Sequence, residues 1–136
     1  MDLQKKWFSW HHAFFGFWAV LIFATSSMPA EVFPRVSIAW LPKAVHVVYF
    51  FVFSLLSYRL MRSQPVFPRL RRLALPLSIV LSVLYALSDE THQMFVAGRT
   101  ARLSDVVIDA SSALLFAIGL WVVTAVRAWK AEGRVA

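Results

Sequence analysis

Cysteine is absent from the 136 residues, which excludes disulfides and thiolate metal sites and leaves the redox compartment unmarked. Only four glycines occur, and Gly16 and Gly119 are too isolated to form a Gly-x-x-x-Gly helix-pairing motif. Charge is scarce as well: 15% of residues carry it, too few to coat a soluble domain of this length. There is no Gly-x-Ser-x-Gly elbow and no His-Glu-x-x-His segment, so neither serine-hydrolase nor metalloprotease chemistry has a local motif. No repeat, low-complexity tract or linker divides the chain, which reads as one domain over 1–136.

Apolar side chains make up 60% of the sequence and the mean hydropathy is +0.65, values that name lipid as the solvent. Six Trp and twelve Phe suit the bilayer interface and apolar packing. A formal charge of +7 would suit nucleic acid if it coated a soluble face. Here the basic residues sit at the ends of apolar runs instead, the pattern of membrane topology, and no nucleic-acid partner is expected.

The first uncharged run, Trp7 to Ala30, lies between Lys6 and Glu31. It exceeds the roughly 20 residues that cross a hydrocarbon core and the ~7 to 15 of a signal-peptide core, so it reads as a span rather than a leader. Pro29 and Pro34 punctuate the loop after it, and Pro42 pre-sets the next helix. The second run, Ala44 to Tyr58, has 15 residues, which rise only about 22 Å. Leu73 to Ser88 and Ala110 to Val126 fall similarly short. Each becomes adequate only by absorbing polar flanks, Asp89 to Gln93 in one case and Asp105 to Asp109 in the other. The expectation is an all-α membrane protein, a four-transmembrane-helix bundle with helices near 8–28, 43–61, 71–93 and 105–127, short outer loops, and an Arg-rich cytoplasmic loop between the second and third.

Lys5, Lys6, Arg59, Arg62, Arg69, Arg71, Arg72, Arg127, Lys130 and Arg134 fall on one side of such a bundle, and Arg35, Lys43, Arg99 and Arg102 on the other. The positive-inside rule then puts both termini in the cytoplasm, in a multi-pass protein of a bacterial cytoplasmic (inner) membrane. Acids divide the opposite way: Glu31, Asp89, Glu90, Asp105 and Asp109 lie outside, Asp2 and Glu132 inside.

Helical spacing gathers chemistry at the outer end. Lys43 and His46 share a face that Tyr49 and Phe50 continue; Tyr85, Asp89 and His92 or Gln93 form a stripe; Asp105, Asp109 and Ser112 form another. Ionisable groups at that depth cost about 2.5–3.5 kcal/mol each and normally face a bundle interior or wet cavity. Arg99 offers a bidentate fork and Lys43 a point charge, a match for a lipid phosphate or pyrophosphate. His46, His92 and Glu90 are the candidates for acid–base work. No metal or other cofactor is expected, because one helix can present at most a pair of ligands at this spacing. His11 and His12, at the other end, read as interfacial side chains, and Thr25, Ser26 and Ser27 as back-bonding to helix carbonyls.

At Asp89-Glu90-Thr91-His92-Gln93, followed by Gly98-Arg99 and Asp105, with Lys43-x-x-His46-x-x-Tyr49 upstream, the sequence resembles the VanZ-like family of small bacterial membrane proteins. The resemblance runs from Ser26-Ser27 through the last helix. It implies four helices and a place in the cell envelope, with the family's namesake associated with low-level resistance to the glycopeptide teicoplanin. It supplies no agreed catalytic mechanism, and so implies a functional site at Lys43, His46, Asp89, Glu90, Gln93, Arg99 and Asp105. Ala97 stands where proline often precedes Gly-Arg, Asp109 where Asn is common, and Ser112 where Gly is common. Asp109 adds a charge inside the last helix and joins the candidate ligand-binding set.

The expected function is an outward-facing polar pocket that binds a lipid-linked envelope intermediate or headgroup, with membrane lipids, a lipid-linked cell-wall precursor or the glycopeptide as partners. Two alternatives are a membrane-embedded hydrolase of lipid phosphates and an assembly subunit whose outer charges only fix helix register.

Overall fold

The structure is a computed structural model that describes residues 10–32 and 40–133. Asp2, Lys5, Lys6, Arg35 and Arg134 of the charge distribution, Pro34, and residues 8 and 9 of the expected first helix lie outside the described residues.

Every regular element among them is helical: α1 (Trp10–Ser26), α2 (Leu41–Arg62), α3 (Pro68–Arg72), α4 (Ala74–Gln93) and α5 (Leu103–Glu132), with a 3-10 turn at Ala30–Val32. Three of them, α2, α4 and α5, are long and apolar enough to cross a bilayer. α1 has 17 described residues, a rise of about 26 Å, and falls a turn short of the roughly 20 residues a span needs. By length, three helices rather than four meet the criterion for a span.

The short apolar runs do recruit their polar flanks. α2 takes in Pro42 and Lys43 at its start and Arg59 to Arg62 at its end, α4 absorbs Asp89 to Gln93, and α5 absorbs Asp105 to Asp109. α5 also continues past the expected residue 127 to Glu132, because nothing between Arg127 and Glu132 disfavours a helix and Gly133 is the first residue that does.

The third expected helix, 71–93, is instead two. α3 opens on Pro68 in its first turn, and Leu73 (φ −96°, ψ 14°) breaks the path before α4. A continuous helix would set the Pro76 ring against the Arg72 carbonyl four residues back and leave that carbonyl without a donor. The break removes the clash.

Burial is inverted relative to a water-soluble protein. Ser54, Ser57, Ser78, Ser82, Asp109 and Ser112 are fully buried, while Phe14, Phe17, Val20, Leu84, Leu115 and Ile118 are more than half exposed. The apolar outside is a face for lipid chains, and the polar inside holds the helices together without needing water.

α2, α4 and α5 pack on one another, and α1 lies against α2 and α4. α4 makes this close packing possible with a small or polar residue every fourth position: Ala74, Ser78, Ser82, Ala86 and Glu90 are all buried. Ser82 meets Ser54 of α2 at 2.8 Å between hydroxyl oxygens, and each hydroxyl also reaches a carbonyl one turn back in its own helix. Ser82→Leu is therefore expected to cost about 1–3 kcal/mol by forcing α2 and α4 apart. Ser82→Ala loses only an interhelical hydrogen bond, about 0.6 kcal/mol. Thermal unfolding in detergent checks this, and a Leu variant as stable as the Ala variant would contradict the close approach.

α1 is fastened by aromatic donors. The Trp18 indole donates to the Tyr49 carbonyl at 2.9 Å, and the Tyr85 hydroxyl to the Ala19 carbonyl at 2.7 Å. Ile22, Phe50, Phe53, Ala86 and Val106 form the apolar core between these anchors and the polar end of the bundle.

Candidate functional site

The four long helices, α1, α2, α4 and α5, run alternately up and down, so the C-terminal ends of α1 and α4 meet the N-terminal ends of α2 and α5. Ser27 beside His92 and His46 beside Asp109 mark this end, whereas Arg62 beside Arg71 marks the other. The up-and-down path thus collects side chains that are 63 to 74 residues apart in sequence.

A cavity of about 130 Å³ opens there. Its polar wall is built from Ser26 of α1, His46 and Tyr49 of α2, Asp89 and Gln93 of α4, and Arg99 of the loop that follows; Ile22, Val45 and Phe50 supply an apolar floor. Asp89 is 5% exposed. Its Oδ2 accepts from Gln93 Nε2 at 2.9 Å, and the same amide nitrogen lies 3.5 Å from Ser26 Oγ. Asp89 Oδ1 is buried with no hydrogen-bond partner among the described residues. Such an atom costs about 1–3 kcal/mol or more when left unsatisfied, so its presence on a cavity wall points to something that donates to it.

Arg99 is held by α1. Its Nε donates to the Met28 carbonyl and its Nη2 to the Thr25 carbonyl, both at 3.2 Å, placing a cation on the carbonyl end of the α1 dipole. The loop carrying it is pressed onto the turn after α1: the Ala30 N–H donates to the Ala97 carbonyl, and Gly98 has φ +73°. A Cβ at Gly98 would stand 3.2 Å from the Ala30 Cβ, so the left-handed turn and the close approach both select glycine.

Behind His46 lies a second polar group. His46 Nδ1 is 3.2 Å from Asp109 Oδ1 and 3.4 Å from Oδ2. Asp109 is fully buried, and Glu90 is 4% exposed. One Glu90 oxygen, Oε2, accepts from the Arg102 backbone N–H at 2.8 Å, which joins the end of α4 to the start of α5; the other, Oε1, is buried and has no hydrogen-bond partner among the described residues.

The structure thus brings His46, Asp89, Glu90, Gln93, Arg99 and Asp109 to one end of the bundle, with Asp105 near enough for its charge to act on His46, Glu90 and Asp109, and leaves Lys43 and His92 aside. Lys43 is exposed on the outer face of α2 and does not line the cavity. Asp105 is half-buried and accepts from Ser104 at 3.2 Å. His92 turns the other way, with Nε2 2.9 Å from Ser27 Oγ and its ring packed on Phe23 at 4.7 Å. Thr25 and Ser27 back-bond to helix carbonyls as expected, while Ser26 lines the cavity, as Thr25 also does. Tyr49 is another wall residue outside the expected set, and its place one turn after His46 was the signal for it.

A family model described as VanZ/LLP1 matches residues 10–125. The chain belongs to the VanZ/LLP1 family. No curated protein and no solved structure matches it. The VanZ/LLP1 match runs from the start of α1 to well within α5, so both polar groups, from Ser26 to Asp109, lie inside the family domain.

Proposed function

We propose that this VanZ/LLP1 protein is a four-span protein of the bacterial inner membrane, with both termini cytoplasmic, whose cavity faces outward and binds the headgroup of an envelope lipid. The observation that carries the reading is that Asp89, a residue of the cavity wall, has its Oδ1 buried without a donor among the described residues. Asp89 accepts an amine or sugar hydroxyl of the headgroup, and Arg99 brings a positive charge suited to its phosphate. The basic residues support the orientation: Arg59, Arg62, Arg69, Arg71 and Arg72 gather at the end away from the cavity. α1 supplies the fourth span, its uncharged run being longer than its 17 described residues.

Size favours one of the expected partners. About 130 Å³ is well below the ~300–1,000 Å³ that encloses a drug-sized ligand. The cavity admits the tip of a headgroup, such as the phosphate and first sugar or amine of a lipid-linked cell-wall precursor, and a whole glycopeptide antibiotic does not enter it. Any link to teicoplanin resistance then acts through the bound lipid rather than through capture of the drug.

The test is lipid retention by purified protein, read by native mass spectrometry, for wild type and Asp89→Asn. Asn is isosteric, and its carbonyl oxygen still accepts from Gln93, so the fold is kept. A hydrogen bond to a charged group contributes about 1.5–3 kcal/mol, so the variant is expected to bind a phosphate-bearing lipid about ten- to hundred-fold more weakly. Equal retention by both proteins would sink the reading.

A second reading, hydrolysis of a lipid phosphate, draws support from the His46–Asp109 contact, because a buried carboxylate on Nδ1 orients an imidazole as a general base. Turnover of a lipid-phosphate panel that disappears in His46→Gln would favour it. Binding without turnover would remove it.

A further inference from the structure

Three helices each deliver one metal-ligand side chain to a single point. His46 comes from α2, Glu90 from α4 and Asp109 from α5, and one donor atom of each lies within 4.8 Å of the others. We propose that these three side chains bind a divalent metal ion, of the zinc or manganese kind. The proposal goes beyond the headgroup reading and does not rest on it.

Charge is the first argument. Two carboxylates are buried here, Asp109 fully and Glu90 to 4% exposure. Among the described residues, Asp109 is bonded by His46, and Glu90 by the backbone N–H of Arg102. Paired anions at membrane depth are costly without a counter-charge, and a dication supplies both missing charges at once.

The second argument is the unpartnered oxygen. Glu90 Oε1 is buried without a hydrogen bond from any of the described residues. Coordination to an ion gives a carboxylate oxygen a partner without a donor hydrogen.

Geometry is the third. With metal–nitrogen and metal–oxygen distances of about 2.0–2.2 Å, neighbouring ligand atoms in a tetrahedral shell sit about 3.4 Å apart. His46 Nδ1 and Asp109 Oδ1 stand at 3.2 Å, and the three donor atoms together lie within 4.8 Å of one another. One imidazole with two carboxylates mixes the ligand that zinc prefers with those that manganese prefers. Three protein ligands leave at least one position open, the pattern of an ion that also takes water or a substrate oxygen. His46 forms part of the cavity wall, which brings that ion next to the cavity.

The sequence offers no motif for this site because each helix contributes a single ligand. Asp89 and His92, the residues nearest Glu90 in metal-ligand chemistry, point to other partners.

The experiment uses the untagged full-length protein in detergent, stripped with a chelator and dialysed against zinc or manganese, with bound metal counted by mass spectrometry. Wild type is expected to hold one equivalent. Glu90→Gln and Asp109→Asn, both isosteric, are expected to bind at least about 100-fold more weakly, the upper end of what loss of a mere outer-shell partner costs. Glu31→Gln, an exposed acid at the same end, is expected to bind as wild type does. Cobalt-loaded wild type gives a second readout that no variant's folding can obscure, a visible d–d absorption band. Wild type holding no more metal than Glu90→Gln, loss of metal in Glu31→Gln as well, or cobalt with only its aqueous spectrum would each overturn the site. None of these outcomes touches the headgroup reading, whose variant is Asp89→Asn.

Discussion

His46→Ala is expected to destabilise the protein by about 3–5 kcal/mol, the range for breaking a buried pair by removing one member. Both oxygens of Asp109 depend on the one imidazole nitrogen, at 3.2 and 3.4 Å. Asp109 is fully buried on an α5 face whose other members, Val106, Ser112, Ala113 and Phe116, are buried too, so the helix cannot turn the carboxylate to water without exposing them. The lost imidazole leaves an uncompensated polar group, and that penalty, more than the worth of the contact itself, sets the size of the effect.

Two companion variants separate these contributions. Asp109→Asn keeps an acceptor for the ring and discards the charge, so it is expected to cost less than half as much. The double variant His46→Leu with Asp109→Leu removes donor and acceptor together and is expected to recover most of the loss, because apolar replacement of a buried pair is often neutral. The measurement is unfolding in mixed micelles with a chelator present, followed by tryptophan fluorescence. His46→Ala within about 0.5 kcal/mol of wild type would mean that Asp109 finds another partner or water, and the pair would lose its place in the site.

How much of this was legible in the sequence depends on distance along the chain. The polar flanks of α2, α4 and α5 could be assigned to helices because a bilayer demands about 20 residues and the apolar runs were too short. That is a length argument and needs no partner. The break at Leu73 was also within reach, since a helix continuous from Arg72 to Pro76 would set the proline ring against the Arg72 carbonyl, yet Pro68 and Pro76 each look harmless when read singly. The serines of α2 and α4 were harder. Ser78 and Ser82 recur every fourth residue with Ala74 and Ala86, a small-residue stripe that a search confined to glycine passes over.

At the site, spacing within one helix correctly grouped Asp89 with Gln93, now 2.9 Å apart. It also grouped Lys43 with His46, and here it misled: residues three apart share a face only broadly, and the long, charged Lys43 side chain stays exposed while His46 turns inward. His46 with Asp109 and Glu90 with Arg102 are contacts between helices, and no periodicity within a helix encodes which partner arrives opposite. Arg99 looked like an anion clamp because it is a conformationally adaptable cation near acids. Two of its nitrogens also donate to carbonyls at the end of α1, which fixes where the cation stands, and this could not be seen without knowing where α1 ends.

Phe53→Ala is expected to cost about 2–4 kcal/mol, and the reasoning tests what holds a bundle together in lipid. Phe53 is fully buried, stacked on Tyr85 at 4.6 Å and tilted against Phe15 at 5.2 Å, so one ring joins α2 to both α1 and α4. In a water-soluble protein much of the penalty for such a truncation is lost transfer from water, but lipid chains are as apolar as the core and that part nearly vanishes. What remains is the cavity. At about 24 cal/mol per Å³, a void of about 100 Å³ costs about 2.4 kcal/mol, and lost ring pairing adds about 0.5–1.5 kcal/mol. Phe53→Leu fills most of the void without a ring and is expected to lose only the pairing part. Phe17, 65% exposed on α1, offers the contrast: Phe17→Ala exchanges one lipid-facing apolar surface for another and is expected to change stability by less than about 0.5 kcal/mol. Unfolding of the three variants in the same micelles decides it. If Phe17→Ala costs as much as Phe53→Ala, the exposed aromatic face of α1 packs on protein rather than lipid, and the outer surface of the bundle has been misassigned.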